Sequence, residues 1–396
     1  MVPANARTTD ESDNERGGVI SGQREHVPAA GPGRRRAARR RPGRGRSVLV
    51  GTVVAVVLGI VAAVLLLGGA GPGAGATDVA ETRAATPPPG GWPRLQLGVV
   101  GSQAPQAPDE IHALGAHVMR DEFTAGTTVE QLAPIVDALA ARGIRLQPLV
   151  GWDDGTPAPD LTAVARWAAA FGPGGTHWAG RSDATAMTDI ELGNENAFYY
   201  KSGVPDDDRY HALARAYGAR AADAARAVHA ANPAVGVLVE LESADSERST
   251  WIDDTLAAGG PDLVHLMHGP VIHPYGPDWQ AKIDRDRGFL RARGVTAPFF
   301  VTEWGISSDD GADLSDNYDW PTDLTYDRAG ALLRTAVTAM AGEPDRVRQV
   351  LLYQVFDQRD PGEDTDREHY FGLVRHDGSD KGGYTAAVRD LTGRYP

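Results

Sequence analysis

Two glutamates stand at positions suited to acid–base chemistry. Glu195 lies in Glu191-Leu192-Gly193-Asn194-Glu195-Asn196-Ala197-Phe198, and Glu303 in Phe299-Phe300-Val301-Thr302-Glu303-Trp304-Gly305. In both stretches a short apolar run, read as a strand, ends on a carboxylate. Two facing carboxylates are what cleavage of a glycosidic bond requires: one protonates the leaving oxygen, and the other attacks or screens the oxocarbenium-like centre. A single strand-end glutamate carries little meaning, because most are merely solvated. An Asn-Glu pair at one strand tip and Thr-Glu-Trp-Gly at another carry more. Rival chemistries lack their signatures, with no Gly-x-Ser-x-Gly, phosphate loop or His-Glu-x-x-His in the chain. There is no cysteine, which removes a disulfide scaffold, thiolate zinc, Fe–S clusters and a cysteine nucleophile. His265, His268 and His273 match no usual ligand spacing. The acidic loops Asp309–Asp319 and Asp357–Glu368 match no calcium-loop pattern. No metal and no cofactor are expected.

Positioning these carboxylates needs a scaffold, and the chain alternates short apolar runs with longer amphipathic stretches. The runs predict strands at Leu95–Val100, Ala116–Arg120, Arg145–Val150, Asp189–Leu192, Val235–Leu241, Leu263–Met267 or slightly later, Pro298–Thr302 and Val350–Val355. Between them helices are expected at Ala107–Leu114, Thr128–Arg142, Asp160–Phe171, Asp206–Ala231, Ser249–Ala258, Trp279–Arg293 and Tyr326–Ala341, with a last one over about Gly383–Leu391. Eight strand–helix units fit an α/β fold of the (β/α)8, or TIM barrel, type, in which reacting groups sit at the C-terminal ends of the strands. A doubly wound open sheet is the alternative, but Gly98-Val99-Val100-Gly101-Ser102 lacks the dinucleotide fingerprint. In a barrel, strands four and seven face each other across the mouth, so Glu195 and Glu303 can converge.

On these motifs the chain resembles the glycoside hydrolases of clan A, the retaining (β/α)8 glycosidases with catalytic glutamates on strands four and seven. The resemblance covers about residues 92–396. It implies an acid/base at Glu195, a nucleophile at Glu303, and a hydrogen bond from Asn194 to the sugar 2-hydroxyl. It also implies an arginine beside the nucleophile at Arg120, and a His and Tyr near it at His273 and Tyr275. Tyr370-Phe371-Gly372-Leu373, followed by Lys381 and Tyr384, resembles the segment that closes such barrels. Strand eight lacks the tryptophan many members use as a sugar platform, and Asn196 replaces a frequent proline. Arg120 and Tyr275, if within reach, would favour the ionised form of Glu303, and the charge of Glu303 would favour a protonated Glu195. Trp152 and Trp304 are candidates for stacking on sugar faces, with core packing as the alternative. Glu240 and Glu242 end strand five, either to bond sugar hydroxyls or as rim charges. Hydrolysis and transglycosylation share the same intermediate, and a non-catalytic carbohydrate-binding or wall-organising barrel is the competing class.

The rest of the chain is read from its charge. With 39 basic and 53 acidic residues the formal charge is −14, which argues against nucleic acid as a partner. Residues 1–46 nevertheless hold 11 arginines against 5 acids, mostly in Arg34–Arg46, and are read as a disordered basic tail. Residues 47–69 carry no charge, and 20 or more apolar residues are enough to cross roughly 30 Å of hydrocarbon. The segment is expected to be a transmembrane helix or signal anchor. Arginines on its N-terminal side would stay in the cytoplasm, placing the body outside as a membrane-anchored, extracellular, monomeric catalytic domain acting on carbohydrate. Ala74-Gly75-Ala76 resembles a cleavage site, and cleavage near Ala76 would give a secreted form. Residues 70–91 read as a Gly/Pro/Ala-rich linker, and 92–396 as the catalytic domain.

Overall fold

The computed structural model describes residues 94–101, 107–150, 160–198, 207–244 and 249–396, all within the compact unit Thr82–Pro396. The strands are β1 (Gln96–Val100), β2 (Val118–Phe123), β3 (Arg145–Val150), β4 (Asp189–Leu192), β5 (Gly236–Glu240), β6 (Met267–Ile272), β7 (Phe299–Trp304) and β8 (Val347–Leu352). Every neighbouring pair is parallel, and β1 closes on β8, giving a barrel in the order β1 to β8. The helices around it are α1 (Ala107–Ala113), α2 (Val129–Ala140), α3 (Ala165–Phe171), α4 (Asp207–Ala231), α5 (Thr250–Leu266), α6 (Trp279–Arg291), α7 (Tyr326–Ala341) and α8 (Gly383–Arg394). The expected (β/α)8 architecture is therefore present.

Side-chain alternation divides each strand between two environments. One set, such as Leu97, Val99, Ile190, Leu192, Val237, Val239, Val350 and Leu352, joins the main core between sheet and helices. The other set points down the barrel axis, where Leu238, Val271 and Phe300 form one small cluster and Val100, Val118 and Leu351 another. The interior is narrow: a Cβ on Gly269 would lie 2.6 Å from the Phe300 ring. Local signals start the helices. Thr128 and Gln131 form a reciprocal capping box on α2, and Thr325 caps α7.

The sixth strand, expected at Leu263–Met267 or slightly later, lies at the later position: residues up to Leu266 extend α5, and the strand begins at Met267. Gly260, at φ 64°, kinks α5, and Pro261 restarts the helix, its fixed φ suiting a first helical position. The apolar Leu263 thus reads as strand by itself but packs as helix. One expectation is corrected, that of a membrane span. Among the described residues no helix is long and apolar enough to cross one. The longest of the described helices, α4 at 25 residues, bears Asp208, Arg209, Arg215, Arg220, Asp223 and Arg226 along its length, far too many charges for hydrocarbon. The transmembrane helix, the membrane as a partner, and the anchored single-pass topology with an extracellular domain are withdrawn on this finding. The tail 1–46, the segment 47–69 and the linker 70–91 that prompted them lie outside the described residues.

Candidate active site

The polar residues at the C-terminal end of the barrel come from inward positions of β2, β3, β4 and β7 and from the turns after β4 and β6. Arg120, 2% exposed, is the hub. Its Nε and Nη2 donate to Glu191 Oε2 and Oε1 at 2.9 and 2.8 Å, a bidentate fork. Nη2 also reaches Asn194 Oδ1 at 2.9 Å, and Nη1 donates to Glu303 Oε1 at 2.6 Å. Burial alone would weaken the guanidinium's hold on its proton, but Glu191 and Glu303 outweigh it and raise the pKa. Gln147 on β3 adds a 3.3 Å hydrogen bond to Glu191.

Strand β7 supplies two successive residues to the same site, which strict alternation forbids. The register explains it: three steps on β7, Val301 to Trp304, match two on β8, Val350 to Leu352. This one-residue bulge re-aims the side chains on either side of it. Thr302 stays inward, and its hydroxyl donates to Glu191 Oε1 at 2.9 Å. Glu303 also reaches the interior, onto Arg120. Trp304 is turned to the helix side, where it is fully buried in the main core. It presents no face to a sugar, so the packing alternative is the one observed.

His273, in the turn after β6, links the two glutamates. Its Nε2 lies 2.9 Å from Thr302 Oγ1. Thr302 spends its only proton on Glu191, so Nε2 must be the donor in that pair. Its Nδ1 lies 3.1 Å from Glu195 Oε1 and 3.8 Å from Glu303 Oε2. Burial opposes a charged ring, yet Glu303, the hydrogen bond to Glu195 and the nearby Glu242 together push its pKa up to about 9. At neutral pH His273 is an imidazolium donating from both nitrogens. Tyr275 donates its hydroxyl to Glu303 Oε2 at 3.3 Å. Burial and then the Glu303 charge hold that phenol well above its ordinary pKa, so it remains a donor. Glu195, His273 and Glu303 place ligand-type atoms within 4.8 Å of one another. The side chains of Glu195 and Glu303 are 25% and 12% exposed, enough to meet a substrate.

Tyr275 stacks on Tyr318 at 4.9 Å between ring centroids, with Tyr353 and Phe371 edge-on at 6.4 and 5.6 Å. These rings wall the Glu303 side of the site. The closing segment is tied down by Lys381, fully buried, whose Nζ donates to Asp357 Oδ1 and Tyr370 O, both at 3.0 Å.

Among the expected site residues, Glu195, Glu303, Arg120, Asn194, His273 and Tyr275 meet in one place. Trp152 lies outside the described residues. Glu240 and Glu242 are 1% and 2% exposed and bond backbone N–H groups, so they are neither sugar contacts nor rim charges. The three histidines do not converge, since His268 contacts Asp189 at the opposite end of the barrel from His273. Sequence reasoning missed Glu191, Thr302 and Gln147. The signal for Glu191 and Thr302 was polarity at the inward parity of otherwise apolar strands.

No protein-family model matches the chain, and no curated protein does. Its fold is similar to that of solved structures. A calcium-binding mutant of Bacteroides uniformis beta-glucuronidase 2 gives a TM-score of 0.51 at 11% identity, over 74% of this chain and 34% of that one. The same enzyme covalently bound to cyclophellitol-6-carboxylate aziridine gives 0.51 at 14% identity, over 76% and 35%. An exo-beta-1,4-mannosidase from an Opitutaceae bacterium gives 0.49 at 17% identity, over 79% and 62%. The chain spans about a third of the length of the first two. At these identities the likeness is one of fold, the barrel that clan-A-type glycosidases share.

Proposed function

We propose that this protein is a glycoside hydrolase that cleaves a polysaccharide or glycoconjugate with retention, Glu303 serving as nucleophile and Glu195 as acid/base. The observation that carries the reading is the cluster of Glu195, His273 and Glu303 within 4.8 Å at the C-terminal mouth of the barrel. Two-step retention uses carboxyl groups about 5–5.5 Å apart, whereas inversion needs about 6.5–9.5 Å to admit a water. The closeness of these atoms favours retention.

The surroundings divide the labour. Among the described residues Glu303 is met by donors, Arg120 and Tyr275, with His273 Nδ1 beyond them. They hold an oxygen toward the anomeric carbon in its anionic form. In the first step a Glu303 oxygen bonds the anomeric carbon as the glycosidic C–O bond breaks, and Glu195 gives its proton to the departing oxygen. In the second step water attacks the same carbon, Glu195 takes the water's proton, and the ester to Glu303 breaks.

The test is a screen of aryl glycosides and cell-wall polysaccharides with the full chain. Glu303→Ala is expected to abolish turnover. Glu195→Ala is expected to lose most activity, and azide to restore part of it on activated substrates. Wild-type-like turnover by either variant counts against the roles. Binding of a polysaccharide with no cleavage of any substrate would favour a non-catalytic barrel instead.

A further inference from the structure

The turn that carries Glu195 is held in place from the neighbouring strand. Glu195 has φ 51°, a left-handed conformation that is unfavourable for a residue with a side chain and persists only where its surroundings impose it. The next two peptide N–H groups supply that imposition. Asn196 N donates to Glu240 Oε2 at 3.0 Å and Ala197 N to Oε1 at 3.1 Å, so one carboxyl grips both. The base of this clamp is itself fixed. Tyr217 on α4 donates its hydroxyl to Leu192 O at 2.6 Å and accepts from Glu240 N at 2.9 Å, stitching the end of β4 to the end of β5. Phe198 N donates to Glu195 O at 3.0 Å and closes the turn. Glu240 is nearly inaccessible and too deep to touch a substrate.

The geometry points to Glu240 as a positioning residue for acid catalysis: its grip on the Asn196 and Ala197 N–H groups sets the direction in which Glu195 presents its proton to the leaving oxygen. The inference rests on the assignment of Glu195 as acid/base, and it gives work to a buried carboxyl that bond cleavage does not otherwise use. Burial lifts the Glu240 pKa to about 7 against the pull of the two N–H donors, in keeping with a group retained at a desolvation cost for the geometry it imposes.

The experiment compares Glu240→Gln with wild type on aryl glycosides of graded leaving-group ability, using a sugar the wild type cleaves. The glutamine keeps the shape, but its NH2 opposes one of the two N–H donors. A dinitrophenolate leaves without a proton, whereas a poor leaving group needs Glu195. For poor leaving groups kcat/KM is expected to fall about 100-fold, the scale of general acid assistance. For dinitrophenyl glycosides it is expected to stay near wild type. In a Glu195→Ala background the same substitution is expected to add no further loss, because effects on one shared function do not add. If Glu240→Gln does not fold, Glu240→Asp, which keeps the charge but retracts it, is judged by the same ratio between leaving groups. A loss uniform across leaving groups, a loss that persists undiminished without Glu195, or no loss overturns the proposal. Wild-type activity with an unmoved ratio removes only the role of Glu240. Absence of any wild-type glycosidase activity removes the underlying reading as well.

Discussion

Replacing Glu191 with glutamine isolates the buried ion pair that organises the site. Glu191 accepts four hydrogen bonds, two from Arg120, one from Thr302 and one from Gln147. The glutamine retains one acceptor oxygen and turns an NH2 toward the guanidinium. One Arg120 N–H then loses its partner, and the fully buried cation keeps only Glu303 as counter-charge. Removing one member of a buried pair costs about 3–5 kcal/mol. With an unfolding entropy of roughly 2.1 cal/mol/K per residue over about 300 residues, that loss lowers Tm by about 5–8 °C. Thermal unfolding followed by circular dichroism measures it. The double variant Arg120→Met/Glu191→Leu removes both charges and is expected to be more stable than the sum of its single variants. A Tm within about 2 °C of wild type for Glu191→Gln, well short of the loss a broken buried pair entails, would refute the claim that this pair is structurally coupled. So would strict additivity in the double variant.

Two further outcomes follow from the site and its closing segment. His273 has a raised pKa, so its contribution to stability is fully present below its ordinary value near 6.5 and is lost as pH rises through about 9. The Tm difference between wild type and His273→Gln is therefore expected to shrink between pH 6.5 and 10, and a flat difference would contradict a charged His273. Lys381→Met strands the buried Asp357 carboxylate and is expected to cost about 3–5 kcal/mol. Adding Asp357→Leu is expected to recover much of that in denaturant unfolding, and no recovery would mean that Lys381 acts through packing alone.

Much of this protein was legible without coordinates, because local rules govern it. The short apolar runs marked all eight strands, the sixth at the later of its two placements, and Thr128 marks the start of α2 by side-chain chemistry that acts within a few residues. The strand-end carboxylates were found because a (β/α)8 barrel collects strand ends at one mouth, whereas Arg120, His273 and Tyr275 came from the resemblance to clan A. The later position of β6 has a local cause that composition conceals, since Gly260 and Pro261 interrupt and restart α5 and carry the apolar Leu263 into the helix.

Only the folded barrel decided the rest, and the reason is register. A single extra residue in β7 relative to β8 turns Glu303 inward beside Thr302 and sends Trp304 to the helices, and sequence alone does not say which neighbour a strand pairs with or where it slips. Glu191, Glu240 and Glu242 look like ordinary polar residues along the chain. Their meaning comes from desolvation and from partners tens of residues away, on Arg120, the Asn196–Ala197 turn and His273. The amino acids fixed which groups are available, and three-dimensional closure determined which of them face one another in the absence of water.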